Sequence, residues 1–206
     1  MAMASVAATI QIATESTYFQ PLIHWNPAPM VRIAYKPNDI AEPKDLVESI
    51  RARRGGRLLN LDRMLLHSPA LARGWNAYLR AVRTELAVPA KLRELAICAV
   101  AALNNADYEF HHHAPVFIQA GGTAAQCDAL RRSPVTDNEL SLFDTTERAV
   151  IQFTTEMTRA VRVSEETFAL ARGALTSEQQ LVELTGIVAA YNMVSRFLVA
   201  LEIEPE

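Results

Sequence analysis

The stretch Arg93–Gly122, RELAICAVAALNNADYEFHHHAPVFIQAGG, decides the reading of this chain. It sets Glu94 in an otherwise apolar run, passes the Asn104-Asn105 pair, and continues with Asp107, Tyr108 and Glu109. Three consecutive histidines follow, His111, His112 and His113, out of only five in the chain. No other segment concentrates groups that exchange protons near neutral pH. Leu92, Leu95, Ala96, Ala99, Val100 and Leu103 recur at helical spacing, and Cys98 and Ala102 broaden their face. This predicts a helix from Pro89 to about Asn105, buried on more than one side. A second helix is predicted from Asp107 to Gly121-Gly122, distorted at Pro115, which lacks an amide donor.

On that second helix Glu109 and His113 lie four residues apart and share a face, with His112 close by. His111 points about 200° away round the axis. A carboxylate beside an imidazole is an acid–base pair, because the anion orients the ring and favours its charged form. If the two helices pack as a hairpin, Glu94 faces the Glu109–His113 pair, and a glutamate on an apolar face needs a partner or a raised pKa. Two glutamates and a histidine converging on a partly dry pocket can donate and accept protons. Glu94, Glu109 and His113 are therefore candidate catalytic residues, with Tyr108 and His112 as candidate substrate-binding neighbours. The structural alternatives are a solvent-facing Glu94, a half-buried core Tyr108, and surface or interface roles for His111 and His112.

Glu109-x-x-His112 also has the Glu-x-x-His spacing of di-iron bundles, but that architecture needs a second such motif and two more glutamates. A single-ion site from His112, His113 and a glutamate is the remaining metal reading; the acid–base reading needs no metal and no cofactor.

Outward from this core, after Pro43 the pattern is helical almost throughout. Leu46, Val47 and Ile50 give a first apolar face, ended by Gly55-Gly56. A short helix is predicted around Leu59–Leu66. Ser68-Pro69 then marks a start for a helix carrying Leu71, Trp75, Tyr78, Leu79, Val82 and Leu86. Thr123, Asp144 with Glu147, Ser164, and Ser177 with Gln180 mark later starts, with SPVTDN a loop between them. No run alternates with a period of two, so no sheet is predicted. ELAICAVAALNN and ELTGIVAAYNM form a faint echo, read either as a duplicated helical unit or as chance in an Ala-rich chain.

The fold class is thus all-α, with an irregular N-terminal arm over residues 1–40 and a helical domain over 41–206. Pro21, Pro27, Pro29 and Pro37 punctuate the arm, and Tyr18, Phe19, Ile23 and Trp25 suit packing on a neighbouring surface, with disorder as the alternative. The chain has 206 residues, 50% hydrophobic and 7% aromatic, enough for one aliphatic core. A net charge of −3 gives no reason to expect nucleic acid as partner. Apolar stretches are broken by polar groups, so no membrane span is expected. Two cysteines without CxxC fit a reducing, cytoplasmic setting. The N-terminus lacks a basic region of the kind that opens a signal peptide. Arg51, Arg53, Arg54 and Arg57 read as a solvated face, with anion binding the minority reading.

The central stretch resembles the carboxymuconolactone decarboxylase family, which includes the alkylhydroperoxidase D-like proteins. There an Arg-Glu pair opens one helix, a Tyr-Glu-aromatic triplet begins the next, and a His follows four residues after that Glu. Arg93-Glu94, Tyr108-Glu109-Phe110 and His113 match those positions. More loosely, the resemblance runs from about Met30 to Glu202. It implies an alkylhydroperoxidase D-like helical bundle assembled as a homo-oligomer, a trimer or hexamer or else a dimer, with a small-molecule substrate bound near a subunit interface. Peroxidase members carry CxxC at the start of the His-bearing helix; those two positions here are Ala106 and Glu109, so both thiols are missing.

What remains of the family's relay, Glu94 with Glu109 and His113, suits acid–base chemistry. The family's decarboxylases act on a lactone acid, which implies His113, held by Glu109, as proton donor and Glu94 as orienting group or second base. Arg93 or Arg196 would recognise a substrate carboxylate. Three readings compete: a cofactor-independent lyase or isomerase acting on a small organic acid or lactone, an alkylhydroperoxidase-like thiol peroxidase, and a non-catalytic helical oligomer.

Overall fold

The computed structural model describes residues 31–132 and 135–206, so the aromatic residues expected to anchor the arm lie outside the described residues. Ten helices and no strand occur among the described residues. They are α1 (Lys44–Arg53), α2 (Asn60–Leu65), α3 (Pro69–Thr84), α4 (Ala90–Leu103), α5 (Asp107–Gln119), α6 (Ala124–Arg131), α7 (Asp137–Leu140), α8 (Thr145–Ala160), α9 (Glu165–Ala174) and α10 (Glu178–Ala200).

Local signals in the sequence account for most of these boundaries. Thr123, Asp144, Ser164 and Ser177 each accept the N–H of the residue three positions on, satisfying one orphan donor of the helix they start. Ser68 makes no such bond, and α3 starts instead on the preset backbone of Pro69. Asn105 takes φ 53 and breaks the chain between α4 and α5. The stretch expected to be a loop after Arg132 contains the short α7, because Glu139 reaches back to the Thr136 N–H at 3.0 Å and closes one turn. Helix α5 stays helical through Pro115.

Helix α4 is the axis of the molecule. Every residue from Glu94 to Ala101 is buried, and α5, α6, α8 and α10 pack around it. Alanines at 96, 99 and 101 let those neighbours approach closely. Helix α10 is long and apolar enough to cross a membrane by composition. It is a core helix of the bundle, with Leu184, Ile187, Val188 and Tyr191 buried against α3, α4, α5, α8 and α9. Asn104 Nδ2 at the end of α4 donates to Asn192 Oδ1 of α10 at 3.1 Å, so the two echoing segments meet in space.

The end of α5 fixes how that helix returns to the core. Gly122 N–H donates to the Phe117 carbonyl at 2.9 Å, and Gly121 takes φ +102. Beneath this turn the fully buried Phe117 ring leaves no room for a side chain, since a Cβ on Gly122 would lie 2.6 Å from two ring atoms. Gly122→Ala is expected to force the ring to move and to destabilise the protein by about 1–3 kcal/mol. Urea unfolding of the variant against the parent checks this, and an unchanged midpoint would refute it.

Candidate active site

Helices α4 and α5 pack as the hairpin that brings Glu94 to His113. His113 Nδ1 and Glu94 Oε2 are 2.7 Å apart, and Arg93 Nε donates to Glu94 Oε1 at 3.1 Å. Burial pushes the Glu94 carboxyl up, but the hydrogen bonds and charges of His113 and Arg93 outweigh it and hold the group below its ordinary value. Glu94 is therefore a buried anion. Burial pushes the His113 ring down, and Glu94 restores only part of that shift. The resting ring is neutral, with Nδ1–H turned to Glu94 and the Nε2 lone pair free of any protein partner among the described residues.

Glu109 is not the partner of His113. Although the two share a face of α5, Glu109 is 2% exposed and takes its hydrogen bonds from Ser195 Oγ of α10, at 3.1 and 3.2 Å. Burial drives its pKa well above the ordinary value, with Ser195 and the Arg83 charge opposing too weakly to reverse it. The surroundings of Glu109 thus favour its protonated form, the opposite bias to that of Glu94. The expectation that Glu109 holds His113 is corrected: Glu94 holds it, and the carboxyl on the same helix turns to α10.

Glu94, Glu109 and His113 line one cavity of about 300 Å³, with Tyr108 and His112 at its wall. That volume is at the lower end for small-molecule sites. Leu59, Leu61, Val116, Val194 and Leu198 supply its apolar surface. Tyr108 is 5% exposed, and its ring lies 4.4 Å from that of His112. Burial raises its pKa, so its hydroxyl keeps its proton. His112 Nε2 sits 3.0 Å from Glu206 Oε2 without the alignment of a hydrogen bond. His111 is exposed and lies edge-on to His112. No group of three His, Cys, Asp or Glu side chains among the described residues is arranged to hold a metal ion.

Several lining residues escaped the sequence reading. Arg54 and Arg53, expected on a solvated face, bind Asp62 at 3.1 and 3.3 Å; Asp62 is 1% exposed, and Arg54 borders the cavity. Arg83, in the last turn of α3, donates from Nε to the Tyr191 hydroxyl at 2.8 Å. Tyr191 stands edge-on to His113 with centroids 5.0 Å apart, and burial lifts its pKa to about 12 even with Arg83 beside it. Ser195 was readable in principle, as a hydroxyl on the apolar face formed by Leu184, Val188, Tyr191 and Leu198. Of the two arginines expected to recognise a carboxylate, Arg93 lines the cavity, whereas Arg196 is exposed and bonded to the Asn192 side chain at 2.6 Å. Neither thiol lines the cavity. Cys98 is fully buried, and burial pushes its pKa well up; Cys127 is 7% exposed.

Comparison with known proteins agrees with the fold. Residues 69–166 match the model of the carboxymuconolactone decarboxylase family. No curated protein is significantly similar in sequence. Among solved structures, an uncharacterised peroxidase-related protein with an alkylhydroperoxidase AhpD core from Ralstonia eutropha JMP134 superposes with a TM-score of 0.74 at 20% identity, covering 87% of this chain and 94% of its own. A peroxidase-related protein from Silicibacter sp. TM1040 gives 0.72 at 17% identity, covering 88% and 94%. The debrominase Bmp8 in complex with 2,3,4-tribromopyrrole gives 0.69 at 17% identity, covering 84% and 92%. The fold is that of the AhpD-like helical proteins. The segment that matches this family model carries Arg83, Arg93, Glu94, Tyr108, Glu109, His112 and His113, so these side chains of the cavity lie in the part of the chain that is similar to the carboxymuconolactone decarboxylase family.

Proposed function

We propose that the chain is a cofactor-independent lyase or isomerase that works by Glu/His acid–base chemistry on a small organic acid or lactone. The observation that carries this reading is the opposite setting of two carboxyls on one cavity: Glu94 is bonded to Arg93 and His113, which favours its anion, while Glu109 is buried with Ser195 as partner, which favours its neutral form. Environments that push two titratable groups apart are how one site holds an acid and a base together.

In an isomerisation, His113 Nε2 takes a proton from carbon next to a carbonyl, and the resulting imidazolium is stabilised by Glu94. The electron pair moves through the enolate to a second carbon, which takes the Glu109 proton. In a decarboxylation the carboxylate leaves as carbon dioxide, its bonding electrons form the enolate, and Glu109 again supplies the proton. These roles reverse the expectation from sequence, in which His113 was the donor, because its ring rests neutral and Glu109 holds the spare proton. The single-ring ligand named with the debrominase Bmp8 is of a size that a cavity of about 300 Å³ accepts.

The peroxidase reading draws on the descriptions of two structural neighbours. It needs a thiolate, and here no cysteine lines the cavity. Incubation with 4-carboxymuconolactone and, separately, cumene hydroperoxide discriminates between the readings. Under the acid–base reading His113→Ala and Glu109→Gln each lower turnover of the lactone by about 10²–10⁴-fold. Cys98→Ser and Cys127→Ser leave it within about twofold. Peroxide consumption abolished by either serine variant would instead establish the thiol reading.

The protonation states have thermodynamic signatures. The folded-state pKa of Glu109 lies above its unfolded value, so its contribution to stability is complete below about pH 4.3 and is lost as pH rises through the folded value. Glu109→Gln fixes the neutral form, so its urea midpoint should fall less than the parent's between about pH 5 and 9. Parallel curves would mean that Glu109 is not protonated in the folded protein.

His113 has a folded pKa below its unfolded value of about 6.5, so its contribution is present above that pH and is lost as pH falls toward the folded value. Glu94 is what keeps that pKa from falling further. A ring titration by NMR should therefore give a lower His113 pKa in Glu94→Gln than in the parent, and an equal or higher value would remove Glu94 from the relay.

A further inference from the structure

Three arginines line the cavity, and two of them hold a carboxylate at close range: Arg54 shares Asp62 with Arg53, at 3.1 Å from its own Nε, and Arg93 is 3.1 Å from Glu94. The third, Arg83, has no carboxylate within 4.0 Å among the described residues. Its Nε is used by the Tyr191 hydroxyl, while its two terminal nitrogens make no hydrogen bond with the described residues. They are not sealed in protein either, since none appears among the buried polar atoms without a partner. Glu109 accepts from Ser195 and forms no ion pair with Arg83, and burial favours its neutral form. The charges of Asp62 and Glu94 reach Arg83 only from beyond ion-pair distance, so its terminal nitrogens offer an incoming anion two parallel donors in a recess.

We propose that Arg83 is the anion seat of this cavity and that its ligand is a small carboxylate, held in bidentate fashion by the two terminal nitrogens. Docking at this seat is independent of the acid–base reading; only the chemistry of the docked molecule rests on it. Tyr191 acts as the positioning residue: it accepts from Arg83 Nε, it is fully buried, and its ring also stands against His113. One side chain thereby fixes the anion seat relative to the base. The charge of Arg83 acts on His113 and Glu109 alike, which puts it within electrostatic reach of both. The apolar wall of Val116, Val194 and Leu198 suits a ring or short hydrocarbon behind the carboxylate. Arg93 and Arg196 are poorer candidates, the first because its charge is already paired with Glu94 through Nε and the second because it lies outside the cavity.

Calorimetric titration of the whole chain with benzoate, with its neutral analogue benzamide, and with inorganic phosphate tests this seat. The parent protein is expected to bind benzoate about tenfold or more tightly than benzamide, the factor that a hydrogen-bonded charge contributes. Arg83→Gln should remove that preference. Arg83→Lys should keep part of it, because lysine supplies the charge without the fork. Tyr191→Phe should weaken benzoate several-fold and leave benzamide unchanged, a split that a merely structural role would not give. If Arg83→Gln fails to fold on thermal unfolding, the Lys and Phe variants carry the test. Equal binding of benzoate and benzamide by the parent, no saturable binding of benzoate, or a preference that survives Arg83→Gln overturns the proposal. Tighter binding of phosphate than of benzoate overturns the carboxylate assignment. Because the readout is binding, a parent that binds benzoate through Arg83 but turns over no lactone refutes the proposed chemistry and leaves the seat standing.

Discussion

The hydrogen bond between His113 Nδ1 and Glu94 Oε2, 2.7 Å long, joins the two helices at the centre of the bundle. Glu94 belongs to a helix whose residues are buried from Glu94 to Ala101. A carboxyl taken out of water in this way would ordinarily take up a proton. It stays ionised because an arginine next to it in sequence and an imidazole from the next helix both donate to it. Removing either partner leaves a buried charge short of compensation, which costs more than the pair itself contributes. The pairing also sets the tautomer of His113 and so decides which ring nitrogen faces the cavity.

That choice sets the demands on the other groups of the site. With Nδ1–H committed to Glu94, Nε2 is an acceptor. The proposed acid–base chemistry also needs a donor, and Glu109 suits that place because its surroundings are the reverse of those of Glu94. No lysine or arginine is hydrogen-bonded to it, Ser195 is its only hydrogen-bond partner among the described residues, and the apolar packing of α4, α5 and α10 surrounds it. The two carboxyls are chemically identical and sit on one cavity, yet solvation and partners hold one charged and the other neutral. The arginines on the cavity outnumber the carboxylates that pair with them, since Arg54 shares Asp62 with Arg53 and Arg83 has none within ion-pair distance, so the local charge is opposite in sign to the −3 of the whole chain.

Most of the fold was legible because its punctuation is chemical and local. Thr123, Asp144, Ser164 and Ser177 start helices by a side-chain bond that depends only on neighbouring residues, and Gly121-Gly122 ends one by a backbone conformation that glycine adopts freely. The cavity was legible in part. Periodicity places Glu94, Glu109 and His113 on faces that can meet, but it does not say which of two carboxyls wins the ring. That is settled by where α10 sets Ser195, a residue 86 positions from Glu109 that offers a hydroxyl to the carboxyl His113 does not take. Arg83 was hidden for a similar reason. It lies four residues after Leu79 on an otherwise apolar face, and a long side chain there reads as solvent-directed until Tyr191, 108 positions on, is seen to hold it.

The position of Glu109 has a further consequence. By the resemblance read from the sequence, Glu109 and Ala106 stand where the peroxidase members carry the two cysteines of CxxC. A thiol pair passes two electrons by forming and breaking a sulfur–sulfur bond, which a carboxyl cannot do. What a carboxyl keeps is the proton, provided the site is dry enough to raise its pKa, and at Glu109 it is. The remaining sulfurs do not restore the electron path. Cys98 is fully buried and held as the thiol, and Cys127 is nearly so with its hydrogen directed to the Ala114 carbonyl. The groups on the cavity, a Glu–His pair and a buried carboxyl with no thiol among them, are ones that exchange protons and cannot form a sulfur–sulfur bond.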